Sequence, residues 1–254
     1  MLKSFSKTRA IFSILAVRAK RITRYSCLFL LLLPTHSCRD SNDPAEPTLT
    51  DNQWEALKWT DWGAGFATAG MGVVSFGIAA GASLAYYYDK LPEKSNIPNG
   101  TSEFIYNSKF PNEQIGVDHN NLCVKYLEKG YDELDYYKLF ELAKEVRPDL
   151  KNEFDKLDIS AAKKIVEDIL DANFNTSVGR MEFVKKYSDL SGANLSSLSK
   201  QLDNLYYSSN NDILGQKVDS FINEIKSCGL PSKTEDKFRR SLPILKYSAQ
   251  LWKR

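Results

Sequence analysis

The sequence predicts an all-α protein: a Gly/Ala-rich membrane or hairpin helix followed by a C-terminal domain of about seven helices. Three observations carry this. Residues 63–88 are free of charge between Asp61 and Asp89. From Val117 onward apolar residues recur three and four apart, the period of an amphipathic helix. No stretch reads as a strand, which would alternate apolar and polar residues.

In order, the chain divides into an export signal (1–37), a polar tether (38–61), the Gly/Ala-rich helix (62–88), a linker (89–116) and the helical domain (117–254). The signal has a basic start with Lys3, Lys7, Arg9, Arg18, Lys20, Arg21 and Arg24, then the apolar Cys27-Leu-Phe-Leu-Leu-Leu-Leu33, then Pro34-Thr-His-Ser-Cys38. The net charge of +2 belongs to this leader, and the rest is slightly acidic, so nothing supports nucleic-acid binding. Two histidines leave little room for a His-rich metal or catalytic site, and no cofactor is expected. A cysteine after the apolar run, followed by polar residues, resembles a bacterial lipoprotein signal. That resemblance implies that Cys38 becomes the acylated (palmitate-bearing) first residue of the mature chain. Thr35 departs from it, because the family usually has an aliphatic residue there. An uncleaved anchor and an ordinary secretory signal are the alternatives.

The uncharged run is long enough, at ~1.5 Å per residue, to cross a bilayer core of ~30 Å. Trp54, Trp59 and Trp62 precede it and Tyr86, Tyr87 and Tyr88 close it, as aromatics do at membrane interfaces. On one continuous helix, Gly63, Gly70, Gly77 and Gly81 share a narrow face, with Gly65 and Gly72 roughly opposite. Two small-residue faces predict two close neighbours, as in a homo-oligomer of like helices. The other reading is a buried Gly/Ala-rich hairpin within a soluble protein.

Pro92 to Gly116 reads as a linker with a short extended piece at Phe104-Ile-Tyr106. The helical patterns that follow run through Leu122–Leu127, Leu134–Val146, Ile159–Leu170, Met181–Tyr187, Leu195–Tyr206 and Ile213–Ile225. Gly229 with Pro231 ends the sixth. Ser232-Lys-Thr-Glu235 predicts a capping box for the last helix, which Pro243 should kink or break.

Four features could carry chemistry. His119 and Cys123, four apart, share a helix face and could be a base and its nucleophile, although the bland reading makes this a helix N-terminus capped by Asp118 or Asn120. Cys123 and Cys228 remain after Cys27 and Cys38 are set aside, and an oxidising compartment permits a disulfide between them; two buried thiols are the alternative. Residues 171–182 resemble an EF-hand loop, which implies calcium on Asp171, Asn173, Asn175 and Glu182. Thr176 stands where that family needs Gly, and a plain capped turn is the alternative. The glycine faces, Gly63, Gly70, Gly77, Gly81, Gly65 and Gly72, are packing sites.

Gly116-Val-Asp-His119-Asn120 and Ser248-Ala-Gln-Leu-Trp252, with the signal and Gly-rich segment, resemble a group of uncharacterised exported bacterial proteins. The Gly-rich segment also looks like glycine-zipper lipoproteins of bacterial envelopes. Neither resemblance implies an activity. Three readings stay open: a non-enzymatic envelope lipoprotein whose domain, periplasmic or surface-exposed, binds an unknown protein partner; a pore-forming or toxin-like membrane protein; and an enzyme of unknown class. One conflict attends the first. With lipid on Cys38 and a single membrane span over 63–88, the lipid and the helical domain would lie on opposite sides of one membrane.

Overall fold

The computed structural model describes residues 50–90, 112–208 and 210–252. The signal, the first half of the tether (38–49, with Cys38), and residues 91–111 with the Phe104–Tyr106 piece lie outside them. Among the described residues the protein is all helical, with no strand.

The first helix, α1 (Asp51–Thr68), begins inside the expected tether. Thr50 accepts from the Gln53 backbone N–H while the Gln53 side chain accepts from the Thr50 N–H, a reciprocal cap. Trp54 and Leu57 then bury themselves, so 51–61 has a reason to be ordered that a polar tether lacks. At Ala69–Val74 the helix gives way to a tight 3₁₀ turn, and Gly72 adopts φ 74°, ψ −139°. L side chains rarely take that conformation, so only glycine turns the chain there without strain. The next helix, α2 (Ser75–Lys90), packs back along α1. Asp61 and Ser83, equally far from Gly72 on either side, both face His119, whose Nε2 lies 3.5 Å from Asp61 Oδ2 and 3.3 Å from Ser83 Oγ. The uncharged run is therefore a hairpin.

This corrects the one-helix register. Gly63 and Gly65 lie on α1, Gly77 and Gly81 on α2, and Gly70 and Gly72 in the turn, so the six share no face. Four of them do let neighbours approach closely, but the neighbours belong to the same chain. A Cβ at Gly63 would sit 2.6 Å from Phe174, one at Gly65 2.5 Å from Ile244, one at Gly77 2.8 Å from Phe154, and one at Gly81 3.2 Å from Tyr136.

The rest of the chain wraps the hairpin. The helices are α3 (Glu113–Glu128), α4 (Tyr136–Val146), the short α5 (Lys151–Asp155), α6 (Ile159–Leu170), α7 (Ser177–Tyr187), α8 (Leu195–Tyr206), α9 (Asn211–Glu224) and α10 (Ser232–Leu251). Asp135, Asp158, Thr176, Asn194 and Asn210 cap α4, α6, α7, α8 and α9 by accepting from first-turn N–H groups. α1 packs on α10, α6 and α7, and α2 packs on α3, α4 and α6. The described residues all belong to one compact unit, so the hairpin and the helical domain share a core rather than standing apart. The tryptophans expected at a membrane interface lie inside it. Trp62 meets Trp59, Phe66, Phe174, Phe183 and Phe238, with ring centres 5.0–6.2 Å away. By length and composition 51–90 could still cross a membrane, yet 72% of its most apolar window is buried within the fold.

Two expectations about α10 are corrected. Pro231 occupies the N-cap position and the Ser232–Glu235 box does not form; Glu235 instead pairs with Arg239 at 2.8 Å. Pro243 lies inside a continuous helix. Its missing N–H orphans the Arg239 carbonyl, and the Asn112 side chain donates to that oxygen at 3.5 Å. Gly229, in the left-handed conformation, ends the turn after α9 as expected.

Gly72→Ala should lower stability by about 1–2 kcal/mol, because the side chain would be held in a strained conformation. Gly70→Ala, with open space around it, should instead raise stability by about 0.5 kcal/mol by restricting the unfolded chain. Urea unfolding of the two variants checks the contrast.

Candidate functional site

Four helices bring polar side chains into the centre of the core. α1 contributes Asp61, α2 Ser83, α3 His119, Asn120 and Cys123, and α10 Ser248, with Trp252 at its C-terminal cap; all are buried. Ser248 Oγ donates to Asp61 Oδ2 at 2.5 Å. His119 Nε2 lies 3.5 Å from that oxygen, 3.3 Å from Ser83 Oγ and 3.8 Å from Cys123 Sγ. Trp252 Nε1 donates to Ser83 Oγ at 3.2 Å. Asn120 Nδ2 donates to the Tyr247 carbonyl at 2.7 Å, which leaves its Oδ1 facing His119 Nδ1 at 2.8 Å. Nδ1 therefore carries the proton, and the Nε2 lone pair points at Asp61, Ser83 and Cys123.

The electrostatics follow from burial. Desolvation pushes the Asp61 carboxyl up from 3.8 to about 7, against the bonds from Ser248, Ser83 and Trp252. Desolvation brings His119 down from 6.5 to about 4, against the bond to Asn120. The geometry is that of an ion pair, but burial favours the neutral form, so the two groups share one proton over this range. The Cys123 thiol is pushed well up by burial and then by the nearby Asp61 charge, so it stays protonated. Asp61 Oδ1 has no partner.

The structure thus brings the His119–Cys123 pair together and supplies partners that sequence reasoning missed. The chain Ser83–His119–Asn120 even has the connectivity of a nucleophile, base and orienter. It lacks the chemistry: His119 is a weak base, Cys123 is no thiolate, and none of the three side chains has exposed surface. His119 does not sit at a helix N-terminus either. α3 starts at Glu113, and Asp118, inside it, pairs with Arg147 at 2.6 Å. The sequence did hold one signal. Gly116-Val-Asp-His119-Asn120 and Ser248-Ala-Gln-Leu-Trp252 meet here, with Gly116 so close that a Cβ would stand 2.6 Å from the Pro243 carbonyl oxygen.

The remaining candidates separate. Cys123 and Cys228 are both free and buried, which corrects the disulfide. Cys123 faces the His119 cluster, while Cys228 lies 3.7 Å from Ser197 Oγ. In the calcium-like loop, Asp171, Asn173, Asn175 and Glu182 are exposed. Asn173 accepts from the Asn175 N–H, and Thr176 caps α7. The cation that organises this loop is the buried Arg180. It donates to the Phe174 carbonyl at 2.6 Å, pairs with Asp203 at 2.5 Å, and stacks on Tyr206 with 4.2 Å to the ring centre. Among the described residues, no group of three or more His, Cys, Asp or Glu could hold a metal ion.

Comparison with known protein families, curated proteins and solved structures finds no match.

The shared proton makes a signed prediction. Between about pH 4 and 6.5 the folded pair holds its proton on Asp61 and the unfolded pair on His119, so the proton count is equal and the pair adds no pH dependence. His119→Gln leaves a carboxyl with a raised folded pKa, and stability relative to wild type should fall as pH rises through this window. Asp61→Asn leaves a histidine with a depressed folded pKa, and stability relative to wild type should rise with pH. Each slope should approach about 1.4 kcal/mol per pH unit. Chemical denaturation across pH 4–7 reads both signs.

Proposed function

We propose that the protein is a non-enzymatic lipoprotein of the bacterial cell envelope. Acyl chains on Cys38 hold it to a membrane, and the helical domain acts as a binding module for a protein partner on the same side as the lipid. The reversal at Gly72 carries this reading. A hairpin starts and ends on one side of whatever it enters, so lipid on Cys38 and a domain spanning 51–252 need not lie across a membrane from each other. Burial of the hairpin supports it further, because the domain then needs no span to satisfy its apolar run. The closed polar cluster speaks against an enzyme acting through His119 or Cys123. A pore-forming reading keeps one observation in its favour, the length and apolar composition of 51–90.

Intact mass with metabolic lipid labelling, beside Cys38→Ala, tests the anchor. The expected wild-type product begins at an acylated Cys38, and Cys38→Ala carries no lipid and leaves the membrane in an alkaline wash. A variant that still resists the wash would mean a protein-borne span, and the lipoprotein reading would fall.

A further inference from the structure

Between its polar ends, where Asp51, Asn52, Asp89 and Lys90 are exposed, the hairpin is uncovered at its turn. Gly70 and Met71 are exposed at the turn, Met71 by 42%, with Gly72 and Val73 partly so. No side chain fills the space at Gly70 or Gly72, unlike the four glycines in the arms. The turn, Ala69–Val74, is wholly apolar and lies in the middle of the uncharged run, as far as the hairpin allows from Asp51, Glu55, Asp89 and Lys90. A cation stands beside this end: Lys237 Nζ lies 5.7 Å from the ring centre of Phe66, near the end of α1.

We infer that this turn is a membrane-contact tip, with Met71 entering the interface of a phospholipid bilayer. The inference rests on the lipoprotein reading for the nearby bilayer, and chain length allows it. α1 is 18 residues and so spans about 27 Å from Asp51 to the turn. The residues from Cys38 to Asp51, at about 3.3 Å each, reach roughly 40 Å. Acyl chains on Cys38 and the tip of the hairpin can therefore meet the same leaflet. Met71 supplies an unbranched apolar side chain that sits readily among acyl chains, and Lys237 supplies a charge that suits anionic headgroups.

The test uses the full chain with Cys27→Ser and Cys38→Ala, so that no acyl chain binds for it and no leader thiol is labelled; Cys123 and Cys228 are buried. A polarity-sensitive dye is attached at Gly70→Cys, or at Tyr137→Cys as a control on an exposed position of α4. Vesicles of phosphatidylethanolamine and phosphatidylglycerol are then added. The expected result is a shift to shorter wavelength and a gain in intensity at position 70, none at 137, and loss of the effect when Met71→Asp is added. No shift at 70, or an equal shift at both positions, overturns the inference. So does a shift at 70 that needs no vesicles and grows with protein concentration, which would mark a second copy as the occupant. Lipidation is read separately by mass on the wild-type chain. An acylated protein with no shift at 70 loses only the tip; a shift at 70 without acylation loses only the anchor.

Discussion

Gly72 turns an uncharged helical stretch back on itself, and the rest of the chain is arranged to cover the two arms. The physical need is plain. Helices this rich in glycine are poor on their own in water, since each interior glycine costs about 1 kcal/mol relative to alanine. They gain by letting large side chains approach the backbone. Phe174, Ile244, Phe154 and Tyr136 do so at Gly63, Gly65, Gly77 and Gly81. Close backbone approach, which in lipid would drive like helices together, here packs α10, α4, α5 and the α6–α7 loop onto the hairpin.

The polar cluster fixes how those pieces register. An apolar core of glycine, alanine and aromatics tolerates sliding, because one methyl or ring edge resembles another. Hydrogen bonds do not. Asp61 to Ser248, Trp252 to Ser83 and Asn120 to the Tyr247 carbonyl tie α1, α2 and α3 to α10. The cost is visible in Asp61, whose Oδ1 is buried without a partner and whose carboxyl is held protonated to near neutral pH. Sharing one proton with His119 keeps that cost from becoming a pH dependence. The lysine-bridged pair of carboxylates nearby does similar work at the rim, where Lys246 reaches Glu113 on α3 and Asp219 on α9.

The helical character of 117–254 is legible because its apolar spacing is periodic over long windows, and the observed helices from α3 to α10 follow it. The start of α1 carried a signal that the tether reading passed over: Thr50 and Gln53 have the spacing of a capping box before an apolar residue. A hairpin was one of the two readings of the Gly/Ala-rich run, but the residue at which it turns was not legible. Gly70-Met-Gly72 looks like any other part of a glycine-rich run, and only the covering helices decide which glycine takes the positive φ. The tryptophans misled for a related reason: an amphipathic ring suits a membrane interface and a protein core alike. Of the cluster, His119 and Cys123 could be paired by their spacing of four. Asp61 and Ser83 could not, since they come together on His119 only once the hairpin closes.

The central claim is that the Gly/Ala-rich run is the core of the helical domain. Hydrogen exchange of the detergent-free protein in water, read by peptide mass, tests it most directly. Amides of 57–66 and 76–85 should exchange with the slowest class in the molecule, at the rate of global unfolding. Rapid exchange of these segments in water, with protection appearing only after bilayers are supplied, would contradict the account and return the stretch to the membrane.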